Sequence, residues 1–369
     1  MKIGIVTFWR SNDNYGQQLQ AFALQRALTK IGHKPFLIRY IEETKAPSKI
    51  KFSKIFDYLF HFKAYLFYFF QKRRDKKYSE TNNNQLRKFP EFRDTYLNQT
   101  SEIYSTDKLI LNPPEADVYV CGSDQIWGGD DIYYLSFVPK GKKKLAYAPS
   151  FGGVNPFISN RAAHIKALLQ EFTFIGVREK EGADLLNVEG IVAEQVADPT
   201  LLLDLCDYSI LAENGDNSAN ISFNDAFVYL LGSPIVCKVN EIFDWFRKKG
   251  LSYTYVASQG RIDKYHKAPL TIPQWINGIR NAKVVVTNSF HCVVFSLIFH
   301  KPFVFIPLAQ NFARMNGRLH DLLGSCGLSN QIYSGDFNKI PLSIDFSLFE
   351  QYKESCQKQS QIIFEKYIG

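Results

Sequence analysis

The strongest constraint on the fold is an alternation of strand, loop and helix that the 369-residue chain runs through twice. In the first pass Lys2–Phe8 reads as a strand and Ser11–Tyr15 as a turn-rich loop. Gly16–Ile31 then carries Leu19, Phe22, Ala23, Ala27 and Ile31 near helical spacing, Gly32 stops it, and Pro35–Tyr40 is a second strand. A strand that returns through a helix to a neighbouring strand forms a parallel pair, the unit of a doubly wound sheet. After residues 43–110, read as an insertion, the pattern resumes with strands at Asp117–Cys121, Lys144–Ala148, Phe172–Val177 and Gln195–Ala197, and helices at Arg161–Glu171 and Arg178–Asn187.

The Gly/Asn-rich stretch 212–220 reads as a linker. A second series follows it. Strands are predicted at Phe227–Leu231, Ser252–Ala257, Lys283–Thr287 and Pro302–Ile306, with helices at Lys238–Lys249, Pro273–Asn281, His291–His300 and Arg318–Cys326. The expectation is an α/β protein of two Rossmann-like domains, 1–210 and 221–345, facing a cleft, with a closing helix over 346–369. In such domains ligands sit at the carboxyl ends of the strands.

Charge narrows the function. The net +8 is concentrated in two places, and the rest of the chain is acidic. Lys45–Lys77 holds ten Lys/Arg against two Asp, and Lys264–His320 holds seven Lys/Arg with no acid. A protein that coats nucleic acid with its whole surface is not built this way. The six cysteines form no CxxC and no Cys/His cluster, which predicts a reducing compartment and no metal. Ile3–Trp9 is shorter than a signal-peptide core, and the longest apolar run, Ile55–Phe70, is interrupted by Asp57, His61 and Lys63. A cytoplasmic protein is expected.

Three loops at strand ends carry candidate chemistry. Thr287–His291 leaves a buried strand and opens a helix, where backbone N–H groups and the helix dipole favour an anion. His291 beside such donors suits proton transfer at neutral pH, and the competing reading is a Ser289 cap followed by a His packed on the sheet. The second half lacks both the glycine fingerprint and the acidic residue that nucleotide-binding halves place on ribose. A small multiply charged anion held by Arg, Lys and N–H groups therefore fits better than a nucleotide sugar. In the first half, Ser11–Gln17 offers Asp13, Asn14, Tyr15 and Gln17 to sugar hydroxyls, against an ordinary Asx-turn and capped helix. Cys121–Trp127 offers Ser123, Asp124 to orient or deprotonate a hydroxyl, and Trp127 to stack on a sugar face. The alternative is that Asp124 caps a helix and Trp127 is core.

Taken in order, Asn14-Tyr15-Gly16-Gln17-x-Leu19-Gln20-Ala21, Gly122-Ser123-Asp124-Gln125-x-Trp127, Ala146-Tyr147-Ala148-x-Ser150-Phe151-Gly152, Val177-Arg178-Glu179, Asp198-Pro199-Thr200-Leu201-Leu202-Leu203, Thr287-x-Ser289-Phe290-His291 and Arg318-x-x-x-Leu322-Leu323 resemble the polysaccharide pyruvyl transferase family. The resemblance implies a two-domain fold like that of the GT-B glycosyltransferases. It also implies transfer of a pyruvyl group from phosphoenolpyruvate to a pair of sugar hydroxyls of a cell-surface polysaccharide or its precursor, closing a ketal and releasing phosphate. His291 corresponds to the family's donor-site histidine and Arg178 to a donor-contacting arginine. Ser289 stands where many members carry an arginine, with Phe290 between it and His291. The acid-free stretch suggests Arg314 or Arg318 as the replacement charge.

Ten Phe/Tyr between Phe52 and Phe70, followed by Lys72-Arg73-Arg74 and Lys76-Lys77, suit the interface of an anionic membrane, as a lipid-linked acceptor would require. Packing of these aromatics on the first domain is the alternative. No nucleic-acid module accompanies the patch. Two rival functions remain at this level: glycosyl transfer from a nucleotide sugar on the same scaffold, and a non-catalytic glycan- or membrane-binding relative in which Ser289 marks lost donor chemistry.

Overall fold

The structure is a computed structural model, which describes residues 1–42, 84–213 and 224–369. The basic-aromatic stretch 45–77 and most of the 212–220 linker lie outside the described residues.

Both series fold as parallel sheets. The first comprises β1 (Lys2–Val6), β2 (Lys34–Tyr40), β3 (Gln99–Tyr104), β4 (Val118–Cys121), β5 (Lys143–Tyr147), β6 (Phe174–Val177) and β7 (Glu194–Gln195). Their order is β3-β2-β1-β4-β5-β6-β7, every pair parallel. The second comprises β8 (Ala226–Tyr229), β9 (Tyr253–Val256), β10 (Val284–Thr287) and β11 (Phe303–Phe305), in the order β11-β10-β8-β9, also parallel. Central strands such as Val118–Cys121 and Val284–Thr287 are buried at every position, which is why they read as unbroken apolar runs. Two Rossmann-like domains facing each other, the GT-B-like arrangement, are therefore present.

The boundary of the insertion differs from expectation. The described residues 84–110 are built into the first domain and are no appendage. The Phe89–Tyr96 helix buries Phe89 and Phe92, and Gln99–Tyr104 pairs with β2 at the sheet edge. As a largely exposed edge strand, Gln-Thr-Ser-Glu-Ile-Tyr has no apolar alternation to betray it.

The two domains share an apolar core. Tyr15 stacks on Trp275 with centroids 5.2 Å apart and donates its hydroxyl to the Leu270 carbonyl at 2.6 Å. Leu19 and Phe22 of the Tyr15–Lys30 helix belong to the same cluster as Trp275, Val293 and Phe295 of the second domain. Each large side chain buried there contributes roughly 1.5–3 kcal/mol to holding the two domains together. The Ser347–Tyr367 helix runs back across this junction. Phe349 and Cys356 join the shared core, and Phe364 and Ile368 pack on Ile3, Leu24 and Val120 of the first domain. No helix among the described residues is long and apolar enough to cross a membrane.

Candidate active site

Parallel strands deliver their carboxyl ends to one side, and the candidate residues gather there. Arg178 directly follows β6, Asp198 lies three residues past β7, Ser123 two residues past β4, and His291 is the second residue of the Phe290–Ile298 helix after β10. Asp198 is the hub. Its carboxylate is fully buried and accepts hydrogen bonds from Ser123 Oγ (3.0 Å), Arg178 Nη1 (3.1 Å), Thr200 N (3.0 Å) and Thr200 Oγ1 (2.7 Å). His291 Nε2 reaches it from the second domain at 3.6 Å. Burial alone would push the Asp198 carboxyl up, but His291, Arg178 and Thr200 outweigh it and hold the group well below the carboxylate range. Sequence reading named Asp198 only as part of a motif. Its place just past a strand end, followed by Pro, is the signal that could have singled it out.

The charge around this hub is unevenly satisfied. Arg178, 2% exposed, also bonds Glu179 at 3.2 Å; burial opposes its charge, and Glu179, Asp198 and Asp124 more than restore it. Arg178 and Arg318 both lie over the Phe290 ring, each 5.2 Å from its centroid. Burial and then the neighbouring Arg178 pull Arg318 down to about 10, the sign of a cation held where a further positive charge is unwelcome. Arg178 Nη2 and Arg318 Nε are shut off from water and have no hydrogen-bond partner among the described residues, while His291 Nε2 faces Asp198. Leaving buried donors unmade costs roughly 1–3 kcal/mol each, more when charged, so two guanidinium nitrogens over one ring mark a site that an anion would complete.

His291 is fixed from the other domain. Gly16, in the first turn of the Tyr15–Lys30 helix, presents its bare Cα to the imidazole, and a Cβ there would fall 2.0 Å from Nδ1. Asp124 is half-buried and sits at φ +88°, a conformation that costs a non-glycine residue of order 1–3 kcal/mol and persists where function requires it. Its carboxylate accepts from Gln125 N at 2.8 Å and Gln17 Nε2 at 3.4 Å. Beside it a cavity of about 170 Å³ is lined by Gln125, Gly152, Gly153, Glu179, Arg314 and Arg318. A second, of about 360 Å³, borders Arg178, Asp198, Phe290 and Arg318.

The expected residues therefore divide. His291, Arg178, Phe290 and Arg318 converge, Asp124 and Gln17 adjoin them, and Arg314 reaches the smaller cavity. Asn14 caps the Tyr15–Lys30 helix and also donates to Gln259 across the domain boundary at 3.1 Å, while the backbone of Asp13 is held by Arg87. Three expectations are corrected. Tyr15 is wholly buried in the domain contact. Trp127, 2% exposed, stacks on Tyr134 and gives its indole N–H to the Tyr133 carbonyl, so it packs the core. The Ser123 hydroxyl is committed to Asp198. Ser289 Oγ caps its helix by accepting from Cys292 N at 3.4 Å and keeps its own O–H. The acid-free stretch is likewise no single field: Lys267 is paired with Asp263 and Lys283 with Asp225, both just outside or remote from it in sequence, while Arg314 and Arg318 reach the site.

Comparison with known families decides the identity. A model of the family described as polysaccharide pyruvyl transferase matches residues 14–309. The chain belongs to that family. Membership makes it a transferase with a general role in pyruvyl transfer to polysaccharide. No curated protein matches. Among solved structures it is similar to the UDP-GlcNAc 2-epimerase of Methanocaldococcus jannaschii (12% identity, 99% of this chain and 100% of that one, TM-score 0.49). It is also similar to the UDP-N-acetylglucosamine 2-epimerase of Rickettsia bellii (10%, 97% and 87%, 0.47) and to the Neisseria meningitidis UDP-GlcNAc 2-epimerase bound to UDP-GlcNAc (8%, 97% and 93%, 0.42).

Proposed function

We propose that the chain transfers the pyruvyl group of phosphoenolpyruvate to two hydroxyls of a sugar in a cell-surface polysaccharide or its precursor. The observation that carries this reading is the pair of unpartnered buried guanidinium nitrogens, Arg178 Nη2 and Arg318 Nε, over one Phe290 ring, with His291 next in the chain to that ring. A compact trianion with carboxylate and phosphate at its two ends satisfies such a set, and Arg318 supplies the charge missing at Ser289. The two guanidinium groups answer the donor's charge, so the reading needs no metal.

In this mechanism His291 protonates the methylene carbon of the donor, and positive character develops at C2. A sugar hydroxyl, its proton drawn off by Asp124, attacks that carbon. Phosphate departs toward Arg178 and Arg318, and the second hydroxyl closes the ketal. Two hydroxyl protons are lost: one restores the proton that His291 gave to the new methyl group, and the other leaves on phosphate as hydrogen phosphate. Asp13, Asn14 and Gln17 line the acceptor's approach. The reading extends to a cytoplasmic enzyme whose 45–77 stretch docks on an anionic membrane bearing a lipid-linked acceptor. Equal flotation with anionic liposomes of chains with and without residues 50–77 would remove that extension.

The direct test is release of inorganic phosphate from phosphoenolpyruvate with a pooled glycan acceptor set. His291→Ala should lower turnover by roughly 10²-fold or more. Wild-type turnover in that variant would sink the assignment of His291. Saturable binding of a uridine or guanosine diphosphate sugar, with none of phosphoenolpyruvate, would replace the donor.

A further inference from the structure

We infer that Asp198 is a positioning residue that acts through His291, an inference that rests on the proposed function and assigns a role to a carboxylate outside the proton-transfer steps. Three observations support it. Asp198 belongs to the first domain and His291 to the second, so their 3.6 Å contact crosses the domain boundary. The carboxylate is fixed before the His arrives: Thr200 occupies Oδ1 through both its N–H and its hydroxyl, and Ser123 and Arg178 occupy Oδ2. No rotation of the carboxylate is free, and the one side left for His291 is defined. The opposite edge of the imidazole meets the Cα of Gly16, so Asp198 and Gly16 together hold the ring from the first domain.

Asp198 also limits the site's charge. It takes one Arg178 nitrogen and leaves the other, Nη2, unpartnered. Removing the carboxylate charge would leave Arg178, Arg318 and His291 facing a donor anion with less opposition. A positioning role therefore makes a prediction that a purely structural role does not: turnover and anion affinity should move in opposite directions. Loss of a structural residue weakens both.

The test is Asp198→Asn, compared with wild type in turnover of phosphoenolpyruvate with pooled acceptors and in calorimetric binding of phosphoenolpyruvate and inorganic phosphate. The expected result is turnover lower by about 10²-fold, the scale of a roughly 1 Å misplacement of a reacting group, with binding as tight as wild type or tighter. In the His291→Ala background the same substitution should cost almost nothing further, because its effect runs through the imidazole. Should Asp198→Asn fail to fold, Ser123→Ala and Thr200→Val keep the carboxylate and remove its anchors. Both should lower turnover without weakening phosphate binding. Additive losses in the double variant, or weakened anion binding together with lost turnover, overturn the inference. Wild-type turnover by Asp198→Asn overturns it while leaving the pyruvyl-transfer reading intact. No phosphate release by the wild-type chain overturns that reading, and this inference with it.

Discussion

Gly16→Ala adds one methyl group at the domain boundary and should be out of proportion to its size. The new Cβ would stand 2.0 Å from His291 Nδ1, 2.4 Å from Cγ and 2.8 Å from Cε1. Ordinary contact begins near 3.4 Å, so the imidazole must retreat by about 1.4 Å. It cannot retreat freely. Phe290, Cys292 and Val293 are buried around it, and Asp198 lies 3.6 Å beyond Nε2. Overpacking of this kind costs roughly 1–3 kcal/mol, and the helix regains up to about 1 kcal/mol from replacing Gly by Ala. The folded population should therefore survive. Turnover should not, because moving a reacting group by about 1 Å costs on the order of 10²-fold. The assay is initial-rate phosphate release from phosphoenolpyruvate, alongside a thermal melt. A melting temperature within a few degrees of wild type with turnover down about 10²-fold is expected. Wild-type turnover in a folded Gly16→Ala chain would show that His291 does not act from the position the structure gives it.

Other variants separate the remaining parts. Arg318→Gln removes one charge-assisted contact worth roughly 1.5–3 kcal/mol, so the donor KM should rise about 10- to 100-fold with stability unchanged; an unaltered KM would take Arg318 out of the donor site. Trp127→Ala should destabilise by roughly 3–5 kcal/mol, and the milder Trp127→Phe should keep a wild-type acceptor KM, whereas a specific acceptor defect would restore Trp127 to the sugar site. Asp207 is held below the usual carboxylate range because Lys30 and Arg26 outweigh its burial. A lowered folded value means stability that is complete above the unfolded value of about 4 and is lost as pH falls through the folded one. Melting temperature should thus decline below about pH 4, and less steeply in Asp207→Asn; parallel declines would assign the acid sensitivity elsewhere.

Most of the sheet was legible because central parallel strands are buried on both faces and their helices begin and end on Gly, Pro or capping residues. Phe303–Phe305 and Val284–Thr287 needed no more than this. The edge strand Gln99–Tyr104 was not legible, since one exposed side and a polar sequence leave no period to read. At the site, local sequence placed His291, Arg178 and Asp124 at strand ends but could not say which side chains turn inward. Trp127 and Tyr15 stand next to polar residues in the sequence, yet tertiary packing claims both rings. Asp198 was overlooked for the opposite reason: its importance lies in partners 75 and 20 residues earlier and in a His of the other domain. The acid-free stretch misled because pairing acids such as Asp225 and Asp263 sit just outside it or on a neighbouring strand's approach.

The account turns on where the donor's two charged ends lie. A crystal structure of the chain with phosphoenolpyruvate bound tests this most directly. The prediction is one anionic group within hydrogen-bond distance of Arg178 Nη2 and Arg318 Nε, with His291 facing the methylene carbon. Phosphoenolpyruvate seated elsewhere, with those two guanidinium nitrogens still unpartnered, would contradict it.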